Sequence, residues 1–387
     1  MSVRKREWTT RKGEAREAWI VDYTDAKGRH IETFERKKDA DAREAQVTVD
    51  VAKGIHTAPS KSITVAQAAD DWIKYIQLGG DDGESRERST IERYRQFVRI
   101  HIVPRIGNEK LAKLTTPRIN AFRDDLLKGM SRAMAKKVLV ALKATLKDAK
   151  RRGNVAQNVA ADVSITARGG RNKPKLEIDR DIPTRDEVHR IIDAASPGKG
   201  RALLMTAALT GMRASELRGL RWSDVDLTKR QIHVRQRADR YRKIGAPKSA
   251  AGTRDIPIGD MVVNTLREWK LQCPKGTENL VFPTLVGTVE HYPNVVQKYF
   301  FPALLAAGVV DKKGKPKYGG MHALRHFYAS WCINQKEDGG LELPPKTVQA
   351  RLGHASIVMT LDVYGHLFPS HDDGKELAAA ERALFAT

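Results

Sequence analysis

The sequence predicts a multidomain, mainly α protein with small β-sheets, and three observations carry that expectation. Helix-start signatures followed by apolar residues at three- and four-residue spacing recur from Thr64 onward. Period-two alternation is confined to residues 19–34 and 231–258. The 387 residues exceed one typical domain of about 150, and their charge is uneven: +2 over 1–60, +12 over 61–177 and +8 over 178–387.

The elements follow in order. Trp19, Val21 and Tyr23 alternate, a turn falls at 25–28, and the pattern resumes at 31–34, which is a hairpin. Residues 37–51 turn helical with Ala42, Ala45 and Val49 toward one side. Thr64 with Gln67 forms a capping box ahead of Val65, Ala68, Ala69, Trp72, Ile73 and Ile76. Ser89 with Glu92 forms a second, directing Ile91, Tyr94 and Val98 inward and Arg93, Arg95 and Arg99 outward. Thr116 caps a helix with Pro117 at its first position and Ile119, Phe122 and Leu126 inside. A fourth helix, 131–152, buries Val138, Leu142 and Leu146 and stops before Gly153. Its other side carries Arg132, Lys136, Lys137, Lys143, Lys147, Lys150, Arg151 and Arg152, a density that favours a DNA-facing bundle.

Beyond a basic, Gly- and Pro-containing strap with Arg171, Lys173 and Lys175, the last segment mixes elements. Thr184 to Glu187 caps a helix, residues 202–210 form a buried one ending at Gly211, and strands at 231–235 and 254–258 flank a hairpin loop at 243–252. Helices are expected at 293–307, 322–334, 345–352 and 374–385. The domains are therefore 1–60, 61–168, a basic linker 169–177, and 178–387.

Composition excludes several classes. Mean hydropathy is −0.50 and no apolar run approaches the roughly 18 residues of a membrane span. Basic Arg4, Lys5 and Arg6 lead into no apolar stretch, so no signal peptide is expected. Cys273 and Cys332 stand far apart, outside any CxxC, which leaves neither a disulfide scaffold nor a zinc finger. There is no phosphate-binding GxxxxGK[ST] loop and no clear carboxylate cluster. What remains is a soluble intracellular protein of net charge +22, attracted to phosphate backbones.

Breaking a phosphodiester without metal needs a nucleophile, cations for the non-bridging oxygens and an acid for the leaving oxygen. Arg213 follows a glycine break at a helix entry, in Thr210-Gly211-Met212-Arg213-Ala214-Ser215-Glu216. His322 and Arg325 share one helical face at i, i+3, Leu352-Gly353-His354 ends another helix, and Tyr364 follows ten residues later. The ordered set of Arg, Lys, His-x-x-Arg, Leu-Gly-His and Tyr resembles the tyrosine recombinase family of phage-type integrases. The match is specific over about 150 residues of the last segment and looser over the rest of the chain.

That resemblance implies a small α/β N-terminal arm-type domain, a helical core-binding (SAM-like) domain and a mixed α/β catalytic domain. It makes Tyr364 the nucleophile of a 3′-phosphotyrosyl link. Arg213 and Arg325 would grip the phosphate, His354 would hydrogen-bond it, and His322 would assist proton transfer at the tyrosine. Lys248, favoured over Lys243 in the same loop, would protonate the 5′ oxygen, and Glu216, at the acidic position after the first arginine, would act as an orienter and not as a reactant. His326 and His366 read as packing or polar contacts; the His322/His326 pair lacks the glutamate of HExxH, so neither metal nor cofactor is expected. The implied partners are attachment-type core and arm sites in double-stranded DNA, three further copies in a tetramer acting through a Holliday junction, and an accessory bending or directionality factor. The implied setting is the bacterial cytoplasm, at the nucleoid, in the service of a phage or other mobile element. A type IB topoisomerase-like nicking-closing enzyme and a DNA-binding regulator with a decayed site stand as alternatives. Residues 336–345 lengthen the family pattern, as a surface insertion or a subunit contact, and the tail after Phe368 docks on a neighbour or on its own domain.

Overall fold

The computed structural model describes residues 1–10, 13–25, 28–52, 62–80, 83, 86–166, 175–368 and 373–386, without the side chains of 25, 46, 50, 52, 373, 375, 376, 379 and 380. Two compact units divide the chain, Met1–Gly170 and Arg171–Thr387. No helix among the described residues is long and apolar enough to cross a membrane.

The first unit opens with an antiparallel sheet in the order β1 (Ser2–Thr9), β2 (Ala15–Asp25), β3 (Gly28–Phe34), followed by α1 (Lys37–Ala52). The β2–β3 hairpin is the expected one; its turn residues 26–27 lie outside the described set. β1 is unforeseen, because a strand reading Ser-Val-Arg-Lys-Arg-Glu-Trp-Thr has no apolar alternation and is recruited by pairing, Lys5 opposite Trp19. The buried face of α1 also differs from expectation. Ala42, Ala45 and Val49 face solvent, while Ala40 and Val47 are fully buried against Val21 and Tyr23. Two rival stripes exist on this alanine-rich helix, and the sheet selects the one continued by Val51. Glu32 ties the layers together, accepting from the Tyr23 hydroxyl at 2.7 Å and from both arms of Arg43 at 2.9 Å.

In α2 (Val65–Gln77) the Thr64–Gln67 box closes in both directions, and all six residues of the expected stripe are buried. α3 (Arg88–Phe97) starts earlier than foreseen: its N-cap is Glu87, whose side chain does not cap the helix backbone, and Ser89 lies inside the helix. A π-helical turn at Val98–Ile102 joins it to α4 (Val103–Ile106). The cause is Pro104, which supplies no N–H to the helical ladder; the N–H of Val103 reaches back five residues to the carbonyl of Val98. α5 (Thr116–Gly129) is capped by Thr115, not Thr116, so Pro117 sits one place later than expected. α6 (Arg132–Arg151) is capped by Ser131 and released by Gly153 at φ +72°.

The second unit begins with α7 (Arg185–Asp193), held by the Thr184–Glu187 box, then α8 (Lys199–Thr210) and α9 (Ala214–Gly219). β4 (Val225–Asp226), β5 (Gln231–Val234) and β8 (Arg254–Pro257) form one antiparallel sheet in that order. β6 (Arg237–Ala238) and β7 (Ile244–Gly245) form a two-stranded ladder, so part of the expected 243–252 loop is strand. α10 (Asp260–Gln272) is a helix the sequence reading did not anticipate. α11 (Tyr292–Val295) and α12 (Phe301–Ala306) are joined by a second π turn, again just ahead of a proline, Pro302. α13 (His322–Ile333), α14 (Pro345–Leu352), α15 (Ile357–Tyr364) and α16 (Asp373–Phe385) complete the chain; α15 too was unforeseen.

The main core gathers α7, α8, α10, α12 and α13 over the sheet, with Ile191, Leu204, Ile232, Phe300 and Leu324 essentially inaccessible. A smaller core of Tyr328, Cys332, Val348, Leu352 and Tyr364 joins α13, α14 and α15. Residues 336–345 fold back on this second core. Leu341 and Leu343 donate to the carbonyls of Trp331 and Cys332 at 2.9 and 2.8 Å and pack against the cluster, which sets the start of α14. In α16, Leu377, Leu384 and Phe385 are exposed.

Candidate active site

Two glycines make the site possible. α8 and α14 both end on a glycine in the left-handed region, Gly211 at φ +62° and Gly353 at φ +64°. A β-carbon at Gly211 would meet the Tyr328 ring at 2.3 Å, and one at Gly353 would meet the Ala251 carbonyl and the Arg254 guanidinium at 2.9 Å. Helix ends carry unpaired carbonyls with partial negative charge, and here they hold arginines. Arg325 is 2% exposed and donates from its two terminal nitrogens to Gly211 and Leu352, 2.6 Å each. Arg213 donates to Gly353 at 3.2 Å. Burial and the charge of Arg213 lower the Arg325 guanidinium to about 10, so it stays charged at neutral pH.

Glu216 organises the second arginine. It is the third residue of α9, whose N-cap is Arg213. One carboxylate oxygen accepts from Arg213 Nη1 at 2.8 Å and Arg254 Nη1 at 3.2 Å; the other accepts from the Arg213 backbone at 2.9 Å and Arg254 Nη2 at 2.8 Å. Burial pushes this carboxyl upward, but the bonds and charges of Arg254 and Arg213 outweigh it and hold the group below its ordinary range. Arg254 escaped the sequence reading as a site residue. Its signal was there: on β8 it lies two residues from buried Ile256, hence on the core side. Its Nε also binds the Arg351 carbonyl at 2.7 Å, tying the sheet to the end of α14.

Tyr364 closes α15 with its side chain 2% exposed. Its hydroxyl is 2.7 Å from His326 Nδ1. The sequence placed His322 at this phenol and left His326 as a contact; the structure gives the bond to His326, with the His322 ring edge-to-face behind it at 4.5 Å. The His354 ring lies parallel to the Tyr364 ring at 6.5 Å, and its Nδ1 is 2.9 Å from the hydroxyl of fully buried Thr360. Burial raises the phenol to about 12 against the pull of Arg325 and Arg213. Burial, helped by nearby cations, takes His326 and His354 down to about 4, and His322 shifts the same way, so the imidazoles are neutral at pH 7. Two pinned guanidiniums, neutral imidazoles and a shielded phenol form a set matched to a phosphodiester anion.

Lys248 is exposed on the segment between β7 and β8, whose Ala251 carbonyl abuts Gly353; Lys243 stands beside β7, next to Arg221 and Glu278. His366 contacts the carbonyl of Leu176 at 2.7 Å. Among the candidate DNA contacts, Arg93, Arg99, Lys136, Lys137, Lys147 and Lys175 are exposed, while Arg95 pairs with Glu92 at 2.7 Å. Arg132 donates twice to the Thr166 carbonyl, and half-buried Lys143 donates to Ala161 at 2.7 Å. Arg171 and Lys173 lie outside the described residues.

Comparison with known proteins matches residues 183–371 to the phage integrase family. A tyrosine recombinase XerC-like protein of Caldanaerobacter subterraneus subsp. tengcongensis is 25% identical over 362 residues, 86% of either chain. Among solved structures, the Tn1549 transposon integrase bound to a circular intermediate DNA superposes with a TM-score of 0.62 at 21% identity, over 83% of this chain and 100% of that one. A lambda integrase from a tetramer bound to a Holliday junction gives 0.57 at 19% identity, over 90% and 95%. The mainly helical, multidomain architecture with small sheets is that of these integrases.

Proposed function

Because the chain belongs, through its phage integrase domain, to the tyrosine recombinase family of DNA breaking-rejoining enzymes, we propose that it is a site-specific integrase that inserts or excises a mobile element through a 3′-phosphotyrosyl intermediate, without metal or ATP. The supporting observation is that buried Tyr364 lies beside buried His354 and Arg325, with half-exposed Arg213 close enough that its charge and that of Arg325 ease ionisation of the phenol, all within a single chain.

In this reading Arg213 and Arg325 hold the non-bridging oxygens of the scissile phosphate, and His354 donates to the same group as charge accumulates. The Tyr364 oxygen bonds to phosphorus, the bond to the 5′ oxygen breaks, and Lys248 supplies that oxygen with a proton. The phosphotyrosyl link conserves the energy of the severed bond, so attack by a 5′-hydroxyl reseals the strand. Glu216 fixes Arg213 for this work through two bonds, to its backbone N–H and to Nη1, and is itself held by two more from Arg254.

Residues 61–168 and 178–387 would form the core-site clamp, joined by the 169–177 linker, and residues 1–60 would read arm sites. Alternation on the N-terminal sheet puts Arg4, Arg6 and Arg29 on the side opposite α1, and a sheet face of that kind fits a major groove. Four copies would act together on two sites, as lambda integrase is seen on a Holliday junction, with an accessory bending or directionality factor.

A nicked suicide duplex made from the DNA flanking the gene tests the reading. The native chain should form a covalent protein–DNA band, and Tyr364→Phe should bind equally well and form none. A persisting band would place the nucleophile elsewhere. With two labelled sites, relaxation without exchanged products would indicate a nicking-closing enzyme instead.

A further inference from the structure

Tyr364 must lose a proton to attack phosphorus, and three imidazoles stand close enough to be considered. We propose that His326, and not His322, takes the phenolic proton as Tyr364 attacks; the assignment rests on the recombinase reading above.

Geometry separates the three. His326 Nδ1 lies 2.7 Å from the phenolic oxygen, inside the range for direct proton transfer. The two rings meet at 62° with centroids 5.7 Å apart, so the tyrosine hydroxyl addresses the imidazole edge, where the nitrogens are. His354 lies within 3° of parallel to the phenol, offering it a ring face, and its Nδ1 is engaged with Thr360. His322 is one helical turn before His326 on α13, open to solvent, with no hydrogen bond among the described residues; it touches His326 edge-to-face. The phenol and its acceptor are thus joined directly, and His322 is the next ring toward solvent.

The charge environment agrees. Burial, His322 and Arg325 disfavour protonation of His326, and Asp181 alone pulls the other way, so the ring is neutral; in this proposal its hydrogen sits on Nε2, which turns the Nδ1 lone pair to the phenol. With the phenol near 12 and the imidazole near 4, the proton stays on oxygen in the free protein. Transfer becomes favourable only as the Oη–P bond forms and drains charge from the oxygen.

The step balances. The Oη–H bond breaks as Oη–P forms, and the proton goes to His326 Nδ1, making an imidazolium. The P–O5′ bond breaks and the 5′ oxygen is protonated by a separate acid. In resealing, a 5′-hydroxyl returns its proton to the conjugate base of that acid as it attacks phosphorus, the Oη–P bond breaks, and the imidazolium returns its proton to the phenol oxygen, so His326 ends each cycle neutral.

Two measurements decide. In ¹⁵N-histidine NMR of the full chain at pH 7, with the signal assigned by its loss in His326→Asn, Nδ1 should be unprotonated and Nε2 should carry the hydrogen. An Nδ1–H tautomer or an imidazolium overturns the proposal, since neither can accept. In single-turnover cleavage of the suicide duplex, His326→Asn keeps a hydrogen-bond acceptor for the phenol but no basic nitrogen. It should cleave about 100-fold slower or worse, with a rate that climbs with pH where the native rate is level, and added imidazole should restore part of the rate to His326→Gly. A His326→Asn rate within about threefold of native would show that the ring only positions the phenol, and overturns the proposal while the covalent band upholds the recombinase reading. No covalent band from the native chain would overturn that reading and this assignment together.

Discussion

Glu216→Gln is the substitution whose cost can be worked most directly from the structure. The carboxylate is 2% exposed and faces Arg254, itself 6% exposed, and Arg213, with buried Arg325 close by. Each oxygen accepts two donors, so whichever way the new amide turns, its NH2 group meets two N–H groups that had ended on oxygen. Breaking a buried pair from one side costs about 3–5 kcal/mol, because the remaining charge stays buried. Arg254→Met should also be costly, leaving Glu216 with Arg213 alone. The double variant Glu216→Gln/Arg254→Met removes both charges and should recover about 2 kcal/mol relative to the sum of the singles. Native-state hydrogen exchange at the amides of α8 and α14 reads this unit separately from Met1–Gly170. A coupling below about 0.5 kcal/mol would refute the claim that Glu216 is the electrostatic keystone of the two arginines.

Acid should loosen the same unit in two stages. His326 and His354 sit near 4 in the folded chain and near 6.5 when unfolded, so the unfolded state binds more protons between those values and stability falls as pH drops through that window. Glu216, held below its unfolded value near 4.3, adds stability above that pH and surrenders it at lower pH, as pH falls through the folded value. A melting temperature for residues 171–387 that stays level from pH 7 to pH 4 would contradict the histidine assignment, and one that falls no further below pH 4 would contradict that of Glu216. Gly211→Ala should cost about 1 kcal/mol for the left-handed backbone and a further ~1–3 kcal/mol for the contact with Tyr328. Gly314→Ala, at φ +71° with open space around it, should show only the first part in urea unfolding, and equal losses at both positions would contradict the packing argument.

Much of the chain was legible in advance where the determinants are local. The capping boxes at Thr64 and Thr184 and the stops at Gly153, Gly211 and Gly353 lie where the sequence places them, since each depends on a few neighbouring residues. Helices α10 and α15 escaped, as did β1. β1 shows the reason: a polar strand becomes a strand because a partner offers its backbone, and nothing in its own residues announces this. The shifted caps at Glu87 and Thr115 have a similar cause, for adjacent polar residues compete and the helix packing selects between them.

At the site, the order of residue types along the chain nominated Arg213, Arg325, His354 and Tyr364 through the family pattern that it resembles, and chemistry on a phosphate is what such side chains suit. Which imidazole touches the phenol, and that Arg254 shares Glu216 with Arg213, are matters of distance between segments 38 residues apart in either case. A linear pattern records that two histidines stand four places apart on one helix. Only the packing of α15 against α13 decides that the second of them meets the tyrosine, because the direction of a side chain across an interface is set by the shapes on both sides of it.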